Sequence, residues 1–141
     1  MKDKGIIKKM FLSLTLAVIL LALITPAIGI DRPVEPFQKA KAMALMEGEV
    51  TESKEHGKQY ILEIKGWGAI VYIPGIESIM LAKGTSSGAS SVHYHGGLGK
   101  YFVYRSIEGS KPEATTVDWP VAMDIANRYL REIEAVRSGS K

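Results

Sequence analysis

Between Asp118 and Arg137, apolar side chains recur at helical spacing: Val121, Ala122, Ile125, Tyr129, Ile133 and Val136. Asp124, Arg128, Arg131 and Glu134 lie largely off that stripe. Asp118 is a good N-cap, and Pro120 is tolerated in the first turn. A helix with one long apolar face needs a sheet to lie on, which restricts the chain to folds that supply one.

That sheet is legible upstream. In residues 59–65, Tyr60, Leu62 and Ile64 point one way and Glu63 and Lys65 the other. Residues 69–73 form a β-branched run that Pro74-Gly75 stops. Residues 49–54 alternate weakly, and turns at Gly57 and at Gly66-Trp67-Gly68 complete a three-stranded meander. Residues 76–83 read equally as a fourth strand or a short helix. Residues 84–91, all Gly, Ser, Thr or Ala, read as a flexible loop. A hairpin follows, turning at residues 96–99 and running to about Ile107, with Gly109 and Pro112 closing it. Ahead of the strands, residues 36–46 read as a helix with Phe37, Ala40, Ala44 and Leu45 on one face, ended by Gly48. The expected fold is α+β: an antiparallel sheet of about five strands with two helices packed on one face, preceded by an N-terminal signal or anchor helix. The expected boundaries are a leader at 1–29, a Pro-rich linker at 30–36, one domain at 37–137 and a disordered tail at 138–141.

The leader has a basic start, Lys2 to Lys9, then an uncharged apolar run to Ile24 and Thr25-Pro26-Ala27-Ile28-Gly29. Ala27 and Gly29 occupy −3 and −1 of a cleavage site after Gly29. The alternative is an uncleaved anchor through residues 10–30, which the preceding lysines would orient with the N-terminus in the cytoplasm. Either outcome places the body outside the cytoplasm, secreted or membrane-anchored. The formal charge of +3 belongs to the leader, whose four lysines face only Asp3. Residues 31–141 carry 14 basic and 14 acidic side chains. A neutral body lacks the electrostatic footprint of phosphate binding, so nucleic acid is excluded as a partner. The chain has no cysteine, so an exported domain must be stable through its core alone. One Asn and two Gln in 141 residues add a thermophile-like leaning.

Two of the three histidines, His93 and His95, are spaced i, i+2 before the Gly96–Gly99 turn. That turn sets His95 opposite Lys100, Tyr94 opposite Tyr101, His93 opposite Phe102 and Val92 opposite Val103. Val92, Tyr94, Tyr101 and Val103 then share one face, and both histidines share the other with Phe102 and Lys100. Two imidazoles on one strand face suit a divalent metal, as His-x-His does in cupins. Here no later His occurs, and Lys100 beside His95 repels a cation. A zinc site needs three or four ligands, so Asp or Glu from elsewhere would have to complete it. Without a metal, the pair reads as a solvated or partly packed outer face of the hairpin.

Gly84-Thr85-Ser86-Ser87-Gly88 has the Gly-x-Ser-x-Gly form of a nucleophile elbow. The elbow needs a helix after it, whereas Ala89-Ser90-Ser91-Val92-His93 reads as strand, and the body is too short for that hydrolase fold. No phosphate-cradling Gly-rich loop joins a strand to a helix. The aromatic residues Tyr60, Trp67, Tyr72, Tyr94, Tyr101, Phe102 and Tyr104 gather in the β regions. They read as core and cross-strand pairs, or in part as a contact patch. Trp67 at a Gly-flanked turn tip either folds back or binds; Tyr72, Phe102 and Tyr104 complete the candidate partner-binding set.

Residues 39–73, KAKAMALMEGEVTESKEHGKQYILEIKGWGAIVYI, resemble the PepSY domain: a helix, a strand beginning near Val50, then GKQYILEIK as the central strand. The resemblance implies a small extracytoplasmic module that binds or inhibits peptidases or acts in cell-envelope regulation, without catalytic residues. The functional expectation is an exported, non-enzymatic binding module at the cell envelope, with a protein, peptide or envelope component as partner. The alternatives are a metal-binding protein using His93 and His95, and a structural subunit of an envelope or virion assembly.

Overall fold

In the computed structural model, residues 34–107 and 111–139 are described. The leader, the candidate span at 10–30, residues 30–33 of the linker, Gly109 and residues 140–141 of the tail lie outside them. No helix among the described residues is long and apolar enough to cross a membrane.

Helix α1, Glu35–Glu47, carries Pro36 in its first turn, where a missing N–H costs nothing, and stops at Gly48, whose N–H donates to the Ala44 carbonyl at 2.9 Å. Seven strands follow: β1 Glu49–Ser53, β2 Gly57–Ile64, β3 Gly68–Ile73, β4 Ser78–Thr85, β5 Gly88–His95, β6 Lys100–Ile107 and β7 Glu113–Val117. They form one sheet in sequential order, each strand antiparallel to the next. A 3₁₀ turn, Pro74–Ile76, joins β3 to β4, and helix α2, Trp119–Arg137, closes the chain. Asp118 stands at its N-cap, although the side chain makes no capping hydrogen bond.

The architecture is α+β as expected, with seven strands in place of about five. Residues 78–85 are strand, and over 78–82 both faces are buried. Ile79 and Leu81 meet the helices while Met80 and Ala82 meet the opposite cluster, so the segment reads as an unbroken apolar run that periodicity cannot assign. The expected loop at 84–91 is a tight hairpin: β4 runs to Thr85, β5 starts at Gly88, and the Lys83↔Ser90 and Thr85↔Gly88 pairs are in register. Ser86 therefore sits at an exposed hairpin tip between two strands, with no helix behind it. The seventh strand is the short run Glu113–Val117, β-branched but masked in sequence by the Lys111-Pro112 turn before it.

Both helices pack on one face of the sheet. A single row crosses all seven strands there: Val50, Tyr60, Tyr72, Ile79, Tyr94, Tyr101 and Val117 are successive cross-strand partners. Phe37 from α1 sits on this row, its ring 5.8 Å from Tyr94 and 5.9 Å from Tyr101. The next row, Leu62, Ile70, Leu81 and Val92, receives Ala40 and Ala44 of α1 and Ala122, Ala126, Leu130 and Ile133 of α2 within the same buried cluster. The alanines allow close approach of helix to sheet. Each large apolar side chain buried here contributes about 1.5–3 kcal/mol, which is how a domain without disulfides holds together. The stripe of α2 is rotated from the expected one: Met123, Ala126 and Leu130 are buried, whereas Val121 and Val136 stay exposed.

The other face is also packed. Val71, Ile73, Met80, Ala82, Phe102 and Tyr104 form a second buried cluster, and Ile76 of the 3₁₀ turn and Leu98 of the β5–β6 turn pack against it. The Gly96 N–H donates to the Glu77 carbonyl at 2.8 Å and ties those two turns together.

Candidate functional site

The β5–β6 register matches the expected one pair for pair, including His93↔Phe102 and His95↔Lys100. The face that carries the histidines is not wet. His93 is 2% exposed and His95 6%, because their side of the hairpin is the second packed cluster. The Ser78 hydroxyl hydrogen-bonds His93 Nε2, and His95 Nδ1 accepts the Leu98 N–H at 3.1 Å. Burial, and then the neighbouring His95, depress the His93 pKa to about 3; burial also lowers that of His95. Among the described residues no group of three or more His, Asp or Glu side chains is placed to share an ion. Among the described residues the pair thus supplies two ligands where a zinc site needs three or four, and one nitrogen of each ring already has a protein partner.

The four candidate contact aromatics, Trp67, Tyr72, Phe102 and Tyr104, are all buried. Trp67 folds back under α2. Its Nε1–H donates to Glu132 Oε1 at 3.0 Å, and its ring meets Tyr129 edge-on at 5.4 Å. Tyr72 stacks on Tyr60 at 6.0 Å beneath the Lys41 ammonium, 4.9 Å from its centroid. Phe102 and Tyr104 belong to the second cluster. The turn-tip position of Trp67 looked exposed in sequence because α2, the element that covers it, lies 65 residues away from it at Glu132.

Around Trp67 the structure assembles a polar group that local sequence does not reveal. Lys83 Nζ reaches Glu132 Oε1 at 2.7 Å, and the Ser90 and Tyr129 hydroxyls lie 3.0 Å apart. Burial works to raise the Glu132 pKa, but hydrogen bonds from Lys83 and Trp67 and the charges of Lys83 and Arg128 outweigh it and hold the carboxyl below its usual value. Replacing Lys83 with Met is expected to raise that pKa, read by carboxyl ¹³C NMR titration; an unmoved midpoint would remove Lys83 as its main partner.

One open groove, of about 390 Å³, lies at the C-terminal ends of both helices, lined by Glu47, Leu62, Glu63, Ile64, Lys65, Val136 and Arg137. It exists because β1 starts late. Glu49 pairs with Ile61, so Leu62–Ile64 of β2 continue past β1 with no strand on their outer side among the described residues. Leu62 and Ile64 are buried, Val136 is 40% exposed, and an Arg137–Glu47 ion pair bridges the helix ends. Chemically the groove offers a short strand edge, an apolar strip and charges of both signs. Its residues come from three separated segments, and the local trace is Val136, an apolar residue at the end of the helical stripe that stays 40% exposed.

No family model matches the chain, and no curated protein or solved structure is significantly similar to it.

Proposed function

We propose that this chain is a non-enzymatic binding module that works outside the cytoplasm at the cell envelope and takes an extended peptide segment as its ligand. The observation that carries this reading is the groove beside the open edge of β2. A short strand edge supplies backbone hydrogen-bonding groups, and Val136, 40% exposed beside the buried Leu62 and Ile64, supplies an apolar contact. Export draws support from the leader, and the binding role from the PepSY resemblance of residues 39–73, whose order of helix and three strands is the order present here.

Panning a random peptide library against the full-length chain tests it. Enriched peptides should alternate apolar and polar residues. Val136→Asp should weaken the best of them by about tenfold or more, equivalent to about 1.4 kcal/mol. Val136 is half-exposed, so near-UV circular dichroism of the variant should be unchanged. Failure to enrich any peptide, or binding indifferent to Val136→Asp, overturns the groove as the site.

A further inference from the structure

His93 and His95 stand side by side on β5, ring centroids 6.0 Å apart, both buried. His93 Nδ1 is sealed from solvent without a hydrogen-bond partner. His95 Nδ1 can accept the Leu98 N–H only while that nitrogen is unprotonated; a proton there turns the acceptor into a donor facing a donor. This bond closes the β5–β6 turn, and Leu98 is one of the residues packed on the second cluster.

A backbone hydrogen bond favours a charged His95 but is outweighed by burial, and the neighbouring side chains supply no countercharge. On β4, Ser78 and Met80 are His95's and His93's neutral cross-strand partners. On β6, Phe102 lies opposite His93, and Lys100, itself a cation, lies opposite His95. Glu77, just before β4, has its carboxylate 3.8 Å from Lys41. At the β1–β2 turn, Glu55 lies 3.7 Å from His56. Glu49 and Glu63 belong to β1 and β2, at least three strands from β5. Among the described residues neither His93 nor His95 pairs with a carboxylate.

We propose that His93 and His95 are a proton-operated latch: neutral, they hold the β5–β6 turn closed over the second face of the sheet; protonated, they open it and expose Met80, Leu98 and Phe102. The direction follows from linkage. Both rings keep depressed pKa values in the fold, His93 about 3 against 6.5 in a solvated chain. Above 6.5 neither folded nor unfolded chain binds these protons, and the stability of the closed state is complete. As pH falls from 6.5 toward 3, the unfolded or opened chain takes up protons that the closed fold refuses, and stability is lost.

The test is urea unfolding of the full-length chain at pH 6.5 and 5, with a chelator present so that adventitious metal plays no part. The unfolding equilibrium constant should rise by at least about tenfold over that interval in the wild type. In His93→Phe/His95→Leu most of that rise should disappear. An equal rise in the double variant overturns the proposal. Should that variant fail to fold, imidazole ¹⁵N NMR of the wild type decides alone: a His93 ring still neutral at pH 5 in the folded chain supports the latch, and titration of His93 near 6.5 overturns it.

Discussion

Replacing Trp67 with alanine is expected to destabilise the domain by about 3–5 kcal/mol in urea unfolding. The indole is 6% exposed and sits at the β2–β3 turn under α2, edge-on to Tyr129. Its removal leaves a cavity under α2 and takes from Glu132 the hydrogen bond that the indole N–H supplies. Trp67→Phe keeps an aromatic ring in the same place and should recover most of the loss, leaving the missing hydrogen bond as the remaining cost of about 1–2 kcal/mol. This result separates two roles for one residue. If Trp67→Ala left stability unchanged and abolished only partner binding, the ring would be a contact residue and its packing under α2 would be wrong. A Trp that anchors α2 to the sheet loses stability first, and any binding defect is secondary to that loss.

Gly88→Ala is expected to cost about 3 kcal/mol or more, an unusually large penalty for one methyl group. A Cβ at this position would stand 1.8 Å from the Ser106 carbonyl oxygen and 2.8 Å from its carbon, both backbone atoms that move only if β6 moves. Because Gly88 opens β5 opposite Ile107, the damage should fall on the β5–β6 pairing. Amide hydrogen exchange is the discriminating measurement: protection should drop along β5 and β6 and persist in β2 and β3. The control is Ser87→Ala, one residue earlier at the exposed hairpin tip, which should change stability by no more than about 0.5 kcal/mol. A small effect of Gly88→Ala would mean that the two strands are not drawn together there.

These two positions also mark the limit of what local sequence encodes. Gly88 belongs to a stretch whose composition is that of a flexible linker. Small residues serve equally well in a loop and in strands that must approach closely, and composition does not tell the two uses apart. Trp67 was legible as a residue needing either a cover or a ligand; which of the two holds depends on the path of α2. The β5–β6 register was legible to the residue, because a Gly-rich turn and period-two alternation specify cross-strand partners locally. The exposure of that register was not. Facing away from the helices is a property of the strand, whereas being buried on that side depends on how Ile76 and Leu98 fold over the sheet.

The distinction holds for the candidate sites as well. Every residue of the groove was visible, yet the groove arises only because β1 pairs with β2 no further than Ile61 and both helices end beside the gap. By itself, the sequence determined the α+β class, the strand-by-strand meander through the first hairpins, the helix ends at Gly48 and Asp118, and which side chains share a face of the β5–β6 hairpin, though not the buried stripe of α2. All of these follow from local periods and turn chemistry. Only the tertiary structure decided that His93 and His95 are buried, that Trp67 is covered, and that Leu62, Ile64 and Val136 meet. Burial is a relation between segments distant in the chain, and no local pattern encodes which distant segment arrives.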